Sequence, residues 1–255
     1  MRVTAAGASD IGLRRPHNED AYLILQEERL FCVADGMGGH ASGEVAARIA
    51  VEEMAEFYRL SGRDEETTWP FREDKGRTYH ENRLLTGIKL ANQRIRERAA
   101  ADERLHGMGT TMVAAWFAER EPAALVGHVG DSRAYLLRRG ALWQLTEDHS
   151  LLNDYIKARH PSAAEIEAFP HKNVIMRALG MRDQVEVDLV RLDLEDGDVI
   201  LLCCDGLSGM VTDDRVAEVL RGCRELEQAT QALLAAANEA GGIDNITVVL
   251  AQFHA

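Results

Sequence analysis

The chain has 255 residues, 46% of them hydrophobic, and a formal net charge of −13, a length that buries a proper core as one large domain or two small ones. The acidic balance disfavours nucleic acid and anionic membrane as main partners, because both would be repelled at long range. No apolar run reaches the ~18 residues needed to cross a bilayer, and the start MRVTAAGASD lacks the apolar core of a signal peptide, so a cytoplasmic location is expected.

Apolar segments rich in Val, Leu and Ala predict strands at Val3–Ala8, Ala21–Leu25 and Leu30–Ala34. A helix follows over Gly43 to about Leu60, with Val45, Ile49, Met54 and Phe57 near one face. A polar surface loop is expected from Ser61 to about Arg77, then a second helix carrying Leu84, Leu85, Ile88, Ala91 and Ile95 on one face. Further strands are predicted at Thr110–Ala118, Ala123–Val129, Ala134–Leu137, Val185–Leu194, Val199–Cys204 and Ile246–Phe253. Short turns such as Arg138-Arg139-Gly140 point to antiparallel meanders. The segment Leu151–Val174 has apolar positions too scattered for one core helix and suits a short helix-turn-helix. A last helix pair begins at Thr212, with Asp213 and Asp214 suited to a first turn, and runs through Leu226, Ala229, Leu233 and Ala237. Strand groups separated by helix pairs predict two packed sheets with helices outside, an α+β layered sandwich, as one domain over 1–255.

The stretch Leu30 to His40, LFCVADGMGGH, stops an apolar run at an aspartate followed by glycines. Gly36, Gly38 and Ala41 satisfy G-x-G-x-x-A, the pattern of a dinucleotide-binding turn. That reading fails because Asp35 would set a carboxylate beside a pyrophosphate, and no second strand follows with a ribose-binding acid.

The same ending recurs. Apolar strands end in Asp35, Asp131 and Asp205, and Asp244 stands at the start of another. A carboxylate next to buried residues is costly to ionise unless a cation or donors compensate. Mg²⁺ or Mn²⁺ suits hard oxygen ligands from a few carboxylates, and glycine after Asp35 and Asp205 lets the backbone approach, so that the Gly36 carbonyl can join the set. Zinc would call for His or Cys at tighter spacing. Near the N-terminus, SDIGLRRPHNED carries Arg14 and Arg15 ahead of Glu19 and Asp20. A guanidinium fork near such a cluster suits a phosphate; the commonplace alternative is a surface salt bridge between Arg15 and Glu19. Cys32, Cys203, Cys204 and Cys223 show no C-x-x-C spacing and read as buried reduced thiols.

Taken in order, D-x-G-x-x-R-x-x-N-E-D (Asp10–Asp20), ADGMGGHxxGE (Ala34–Glu44), GDSR (Gly130–Arg133), LTEDHS, RALG, CDGLS and GGIDNITVV resemble the motifs of the PPM family, the metal-dependent Ser/Thr protein phosphatases of the 2C type, in its compact bacterial branch. The resemblance implies a four-layer α-β-β-α sandwich of two mainly antiparallel sheets flanked by helix pairs, with two or three Mn²⁺ or Mg²⁺ ions in a cleft at one end of the sheets. It implies that Asp35 bridges two ions, with Asp205 and Asp244 completing one of them. The Gly36 carbonyl and Glu19 would serve the other, with Asp20 as a ligand or as support for one. Asp131 with Asp205 would hold a weaker third ion, and Arg15 the substrate phosphate. A water bridging two cations ionises near neutrality and attacks phosphorus directly, with no phosphoenzyme.

The animal enzymes of this family carry a histidine directly after the Asp-Gly pair, where this chain has Met37, so protonation of the leaving group is unassigned; His40 and His149 are the candidates for it or for a supporting role. The segment 151–174 falls where family members carry a flap beside the cleft. Expected partners are phosphorylated proteins, among them a bacterial Ser/Thr kinase and its targets, with the chain itself a monomer. Neither the arginine six residues after a cysteine that a cysteine-based phosphatase needs nor the D-x-H and GNH[DE] motifs of calcineurin-like enzymes occur. The alternative is a catalytically silent phosphoprotein-binding regulatory module.

Overall fold

The computed structural model describes residues 1–38, 42–62, 70–172 and 174–255. One sheet contains β1 (Arg2–Asp10), β7 (Arg133–Arg138), β8 (Ala141–Gln144), β10 (Val199–Cys203) and β11 (Ile246–His254), in the order β1-β11-β10-β7-β8. The other contains β2 (Asp20–Leu25), β3 (Leu30–Met37), β5 (Met112–Phe117), β6 (Ala123–Val129) and β9 (Asp188–Asp193), in the order β2-β3-β5-β6-β9, and the short β4 (Gly109–Thr110) pairs with β3. Every described pairing is antiparallel.

The apolar runs are continuous because each central strand is covered on both faces. Along β3, Phe31 and Val33 point to the other sheet, while Cys32 and Ala34 point to the helices. In β10, Ile200 and Leu202 face inward and Leu201 and Cys203 outward; in β11, Val249, Ala251 and Phe253 alternate with Val248 and Leu250 in the same way. That two-residue period builds the core between the sheets. Helices α1 (Ser42–Ser61) and α2 (Tyr79–Ala101) cover the second sheet. Helices α6 (Asp213–Gly222) and α7 (Leu226–Glu239) cover the first. The predicted four-layer sandwich is therefore the observed one.

Helix α2 begins with a capping box: Thr78 Oγ1 accepts from Glu81 N–H at 3.3 Å, and Glu81 Oε2 accepts from Thr78 N–H at 2.6 Å. Its Leu84, Leu85, Ile88, Ala91 and Ile95 are all buried, as the spacing requires. One turn in, buried Arg83 reaches Glu28 Oε2 at 2.9 Å, Ser61 Oγ at 2.8 Å and Tyr58 O at 2.5 Å, with its guanidinium 4.1 Å above the Tyr58 ring. Removing one member of a buried hydrogen-bonded pair costs about 3 kcal/mol. Arg83→Met is accordingly expected to lower the melting temperature by roughly 6–12 °C, read by circular dichroism; an unchanged melt would mean the network is dispensable.

Several expectations need correction. Asp35 does not end its strand: β3 continues to Met37 by pairing with β4, with Gly36 opposite Thr110 and Met37 opposite Gly109. On α1 the buried face is Ala46, Ala47, Ala50, Met54, Phe57 and Tyr58, while Val45 and Ile49 are only partly buried, because small alanines let the helix lie close on β3. Strand β8 was absent from the sequence pattern because it is a short edge strand without a buried face. Val185–Val187 lie outside β9, and Thr111 separates β4 from β5. A short helix α5 (Asp205–Ser208), which periodicity cannot announce, follows β10. Of the polar loop, residues 63–69 lie outside the described residues. The segment after β8 does contain two short helices, α3 (Leu151–Arg159) and α4 (Ala163–Ala168). Cys32, Cys203 and Cys204 are buried free thiols, and Cys223 is a half-buried one.

Candidate active site

Strand pairing brings the acidic residues together. The β2–β3 register sets Asp20 directly opposite Asp35. Asp35 is fixed through its backbone, its N–H donating to Thr111 Oγ1 at 3.0 Å and its carbonyl accepting from Thr110 Oγ1 and Thr111 N–H, both at 2.8 Å. Thr111 Oγ1 lies 2.7 Å from Ser132 Oγ, which ties Asp35 to the loop carrying Asp131. Asp205 opens α5, close enough for its charge to raise Asp35. Asp244 precedes β11 by two residues and its Oδ2 accepts from Arg15 Nη2 at 2.6 Å. Asp20 Oδ2 accepts from Thr247 Oγ1 at 2.6 Å. The surface pair Arg15–Glu19 does not form: among the described residues Arg15 pairs with Asp244.

The cluster is electrostatically overloaded. Burial, then the carboxylates of Asp20, Asp205, Asp131 and Asp244, push Asp35 well above the usual carboxylate range. Burial lifts Asp20 to about 7, partly offset by the Thr247 hydroxyl. It lifts Asp131 to about 7 as well, with Asp205 adding repulsion. Asp205 is raised by burial and by Asp244, and Glu19 by burial against the pull of Arg15. Among the described residues, Asp20 Oδ1, Asp131 Oδ1 and Asp205 Oδ1 are buried with no hydrogen-bond partner. Buried acceptors left unpaired in one place are a site for something positively charged.

Gly36 is required sterically. Its N–H donates to Glu19 O at 3.1 Å, and a Cβ there would overlap the Gly43 and Glu19 carbonyl oxygens. Backbone alone fits at this position, one residue after Asp35.

His149 lies elsewhere. It is buried, its Nδ1 accepts from Gly130 N–H at 3.1 Å, and its Nε2 is 3.3 Å from Asp188 Oδ2. The Gly130 contact assigns the ring proton to Nε2. Burial lowers its pKa. His128, stacked on it at 4.6 Å, is lowered to about 4 by burial. His128, His149 and Asp188 have ligand-like spacing, yet Arg177 Nη1 already occupies Asp188 Oδ1 at 3.0 Å. A metal on His149 Nε2 would also move the proton to Nδ1, against the Gly130 N–H. The group is an Arg177–Asp188 ion pair with two neutral, stacked histidines against it. His40 lies outside the described residues.

Sequence reasoning missed Asn245 and Cys204. Asn245 Oδ1 accepts from Glu19 N–H at 2.8 Å, and its Nδ2 donates to Ile11 O and His17 O, both at 2.9 Å, stitching the Arg15 loop to the Asp244 turn. Its place next to Asp244 in GGIDNITVV was the available signal. The Cys204 Sγ lies within 4.8 Å of carboxylate oxygens of both Asp20 and Asp35, a proximity that an apolar run conceals.

The family model for protein phosphatase 2C matches residues 11–241, most of the chain and all of the acidic cluster except Asp244. The chain belongs to the protein phosphatase 2C family. It is 37% identical over 247 residues to the serine/threonine phosphatase stp of Listeria monocytogenes, covering 96% of this chain and 93% of that one. Its fold is similar to that of the Mycobacterium tuberculosis serine/threonine phosphatase PstP/Ppp, with a TM-score of 0.86, 33% identity and 100% of each chain covered. A PstP catalytic domain solved with two manganese ions gives a TM-score of 0.82 at 34% identity, over 99% of each chain. The family motifs read from the sequence are therefore those of a family member, and among the described residues no helix is long and apolar enough to cross a membrane.

Proposed function

We propose that this protein hydrolyses phosphoserine and phosphothreonine in proteins, using two or three Mn²⁺ or Mg²⁺ ions held by Asp35, Asp205, Asp244, Glu19, Asp20, Asp131 and the Gly36 carbonyl. The observation that carries the reading is the set of buried carboxylate oxygens without protein partners beside a half-exposed arginine. Divalent cations supply Lewis-acid charge there and a water acidic enough to ionise near neutral pH.

The chain's own residues do the rest. Asp35, opposite Asp20 across the β2–β3 ladder and within the field of Asp205, would hold cations together with those two carboxylates. Asp244 holds the Arg15 guanidinium by one nitrogen, which leaves the remaining N–H groups of the fork for phosphoryl oxygens. The Asp244 hydrogen bond and nearby Asp205 and Asp35 keep Arg15 firmly charged. Asn245 fixes the loop bearing Arg15 and Glu19 relative to Asp244. We assign His149 as a positioning residue, because both ring nitrogens are engaged and its contact is with Gly130, the neighbour of Asp131. The same reading makes 1–255 one catalytic domain, a monomer acting in the cytoplasm on phosphoproteins made by a Ser/Thr kinase, with 151–174 as a flap. No observation favours the silent binding module, since every acidic residue the chemistry needs is present.

The test is release of phosphate from a phosphothreonine peptide in EDTA, Mg²⁺ or Mn²⁺. Activity is expected only with metal. Arg15→Ala is expected to lower kcat/KM about 10²-fold, the scale of losing a charge-assisted phosphate clamp of ~3 kcal/mol. Hydrolysis in EDTA, or an Arg15→Ala enzyme as active as wild type, would contradict the assignment.

A further inference from the structure

We propose that Leu13 and Ile243 form an apolar shelf that selects substrates carrying an aliphatic side chain within two residues of the phosphorylated serine or threonine. The inference rests on Arg15 being the phosphate seat.

Leu13 and Ile243 are 65% and 58% exposed. Single exposed apolar side chains are ordinary; these two stand at the same Gly241–Gly242 turn. Leu13 N–H donates to Gly242 O at 2.7 Å, and a Cβ added at Gly242 would stand 2.8 Å from Leu13 Cγ. Met210 Cε and Ile243 Cγ2 lie 3.3 and 3.8 Å from where a Cβ of Gly241 would be. The apolar side chains therefore flank a floor of bare backbone at Gly241 and Gly242, where φ values of +131° and +50° favour glycine.

The shelf is held rigidly. Asp10 Oδ1 accepts from Gly12 N–H at 2.8 Å and from Asn238 Nδ2 at 3.1 Å, and Asn245 Nδ2 donates to Ile11 O. It is also built from the segments that make the phosphate seat: Arg15 follows Leu13 by two residues, Asp244 follows Ile243 directly, and the two charged residues join at 2.6 Å. An extended peptide advances ~3.3–3.6 Å per residue. With its phosphate at Arg15, a side chain one or two positions away reaches the segments that carry that arginine and its partner Asp244, and Leu13 and Ile243 are exposed apolar side chains on those segments. Water leaves apolar surface on both partners only when the incoming side chain is apolar.

The experiment uses the full chain with Mn²⁺ and phosphothreonine peptides identical except for Leu or Ser at positions −2, −1, +1 and +2, with N-acetyl-phosphothreonine amide as the minimal substrate. Wild type is expected to prefer Leu at one or more of these positions by about fivefold in kcat/KM, the scale of partial burial of one aliphatic side chain. The double variant Leu13→Ser, Ile243→Ser is expected to bring that ratio within about twofold of unity, with its melting temperature and its kcat/KM on the minimal substrate unchanged. No preference at any position in wild type, or a preference that survives in the double variant, overturns the shelf. Arg15→Ala on the minimal substrate separates the two readings: unchanged kcat/KM there refutes the phosphate seat, whatever the Leu ratio.

Discussion

Asp35→Asn and Asp205→Asn are each expected to cut hydrolysis of a phosphothreonine peptide by about 10³-fold or more at saturating Mn²⁺, equivalent to ~4 kcal/mol of transition-state stabilisation, while making the metal-free protein more stable. The two effects share one cause. Asp35 is surrounded by Asp20, Asp131, Asp205 and Asp244, and its pKa is raised first by burial and then by those charges. In the folded, metal-free state at pH 7.5 an aspartate there must either take up a proton against the solution pH or hold a charge among like charges, and each pKa unit of that perturbation costs about 1.4 kcal/mol. Asparagine does neither, and its amide can donate to Asp205. A gain of at least ~1 kcal/mol is expected, or about 2–4 °C in melting temperature in EDTA, with the stabilisation by Mn²⁺ lost. Phosphate release and thermal melts in EDTA and Mn²⁺ check both. A variant less stable than wild type in EDTA would mark Asp35 as a structural residue, and one within tenfold of wild-type activity would remove it from the cation site.

What the sequence discloses follows from which physical pattern leaves a trace in one dimension. Strands covered on both faces leave unbroken apolar runs, so Leu30–Ala34, Ala123–Val129 and Val199–Cys204 were legible, and so was the abrupt polarity at Asp131 and Asp205 that follows such runs. An edge strand such as β8 has no fully buried residue, only Leu142 packing partly on the core, and leaves no trace. The face of α1 was misplaced because alanine contributes little to an apolar pattern while permitting the closest approach to β3. Within the site, residue type announced Asp35 and Arg15, but partner choice did not: Arg15 meets Asp244, which is distant in sequence, because the β1–β11 pairing, with Asp10 opposite Ile246, brings those loops together. Asn245 escaped notice because its work is done by hydrogen bonds to backbone that no composition reveals.

Stabilisation by Mn²⁺ is expected to depend on pH, small at pH 5 and large at pH 7.5. Asp20 and Asp131 are both lifted to about 7, against an ordinary value near ~3.9. A raised carboxylate binds its proton more tightly in the folded state, so its contribution to stability is fully present below ~3.9 and disappears as pH rises through about 7. Across that window the metal-free protein loses support just as the ionised ligands that a cation needs become available. At pH 5 the cation competes with protons on Asp20 and Asp131; at pH 7.5, above both values, that competition is far weaker. With free Mn²⁺ at about 100 times its dissociation constant, the gain is ~2.7 kcal/mol, or roughly 5–10 °C. His128, lowered to about 4, acts oppositely, its contribution being lost as pH falls from ~6.5. It lies outside the acidic cluster and affects the EDTA and Mn²⁺ arms alike, so the difference between the two melts isolates the carboxylates. Equal shifts at pH 5 and pH 7.5 would show that the cation is held without Asp20 and Asp131, and a shift that shrinks with rising pH would reverse the sign of the electrostatics assigned to the cluster.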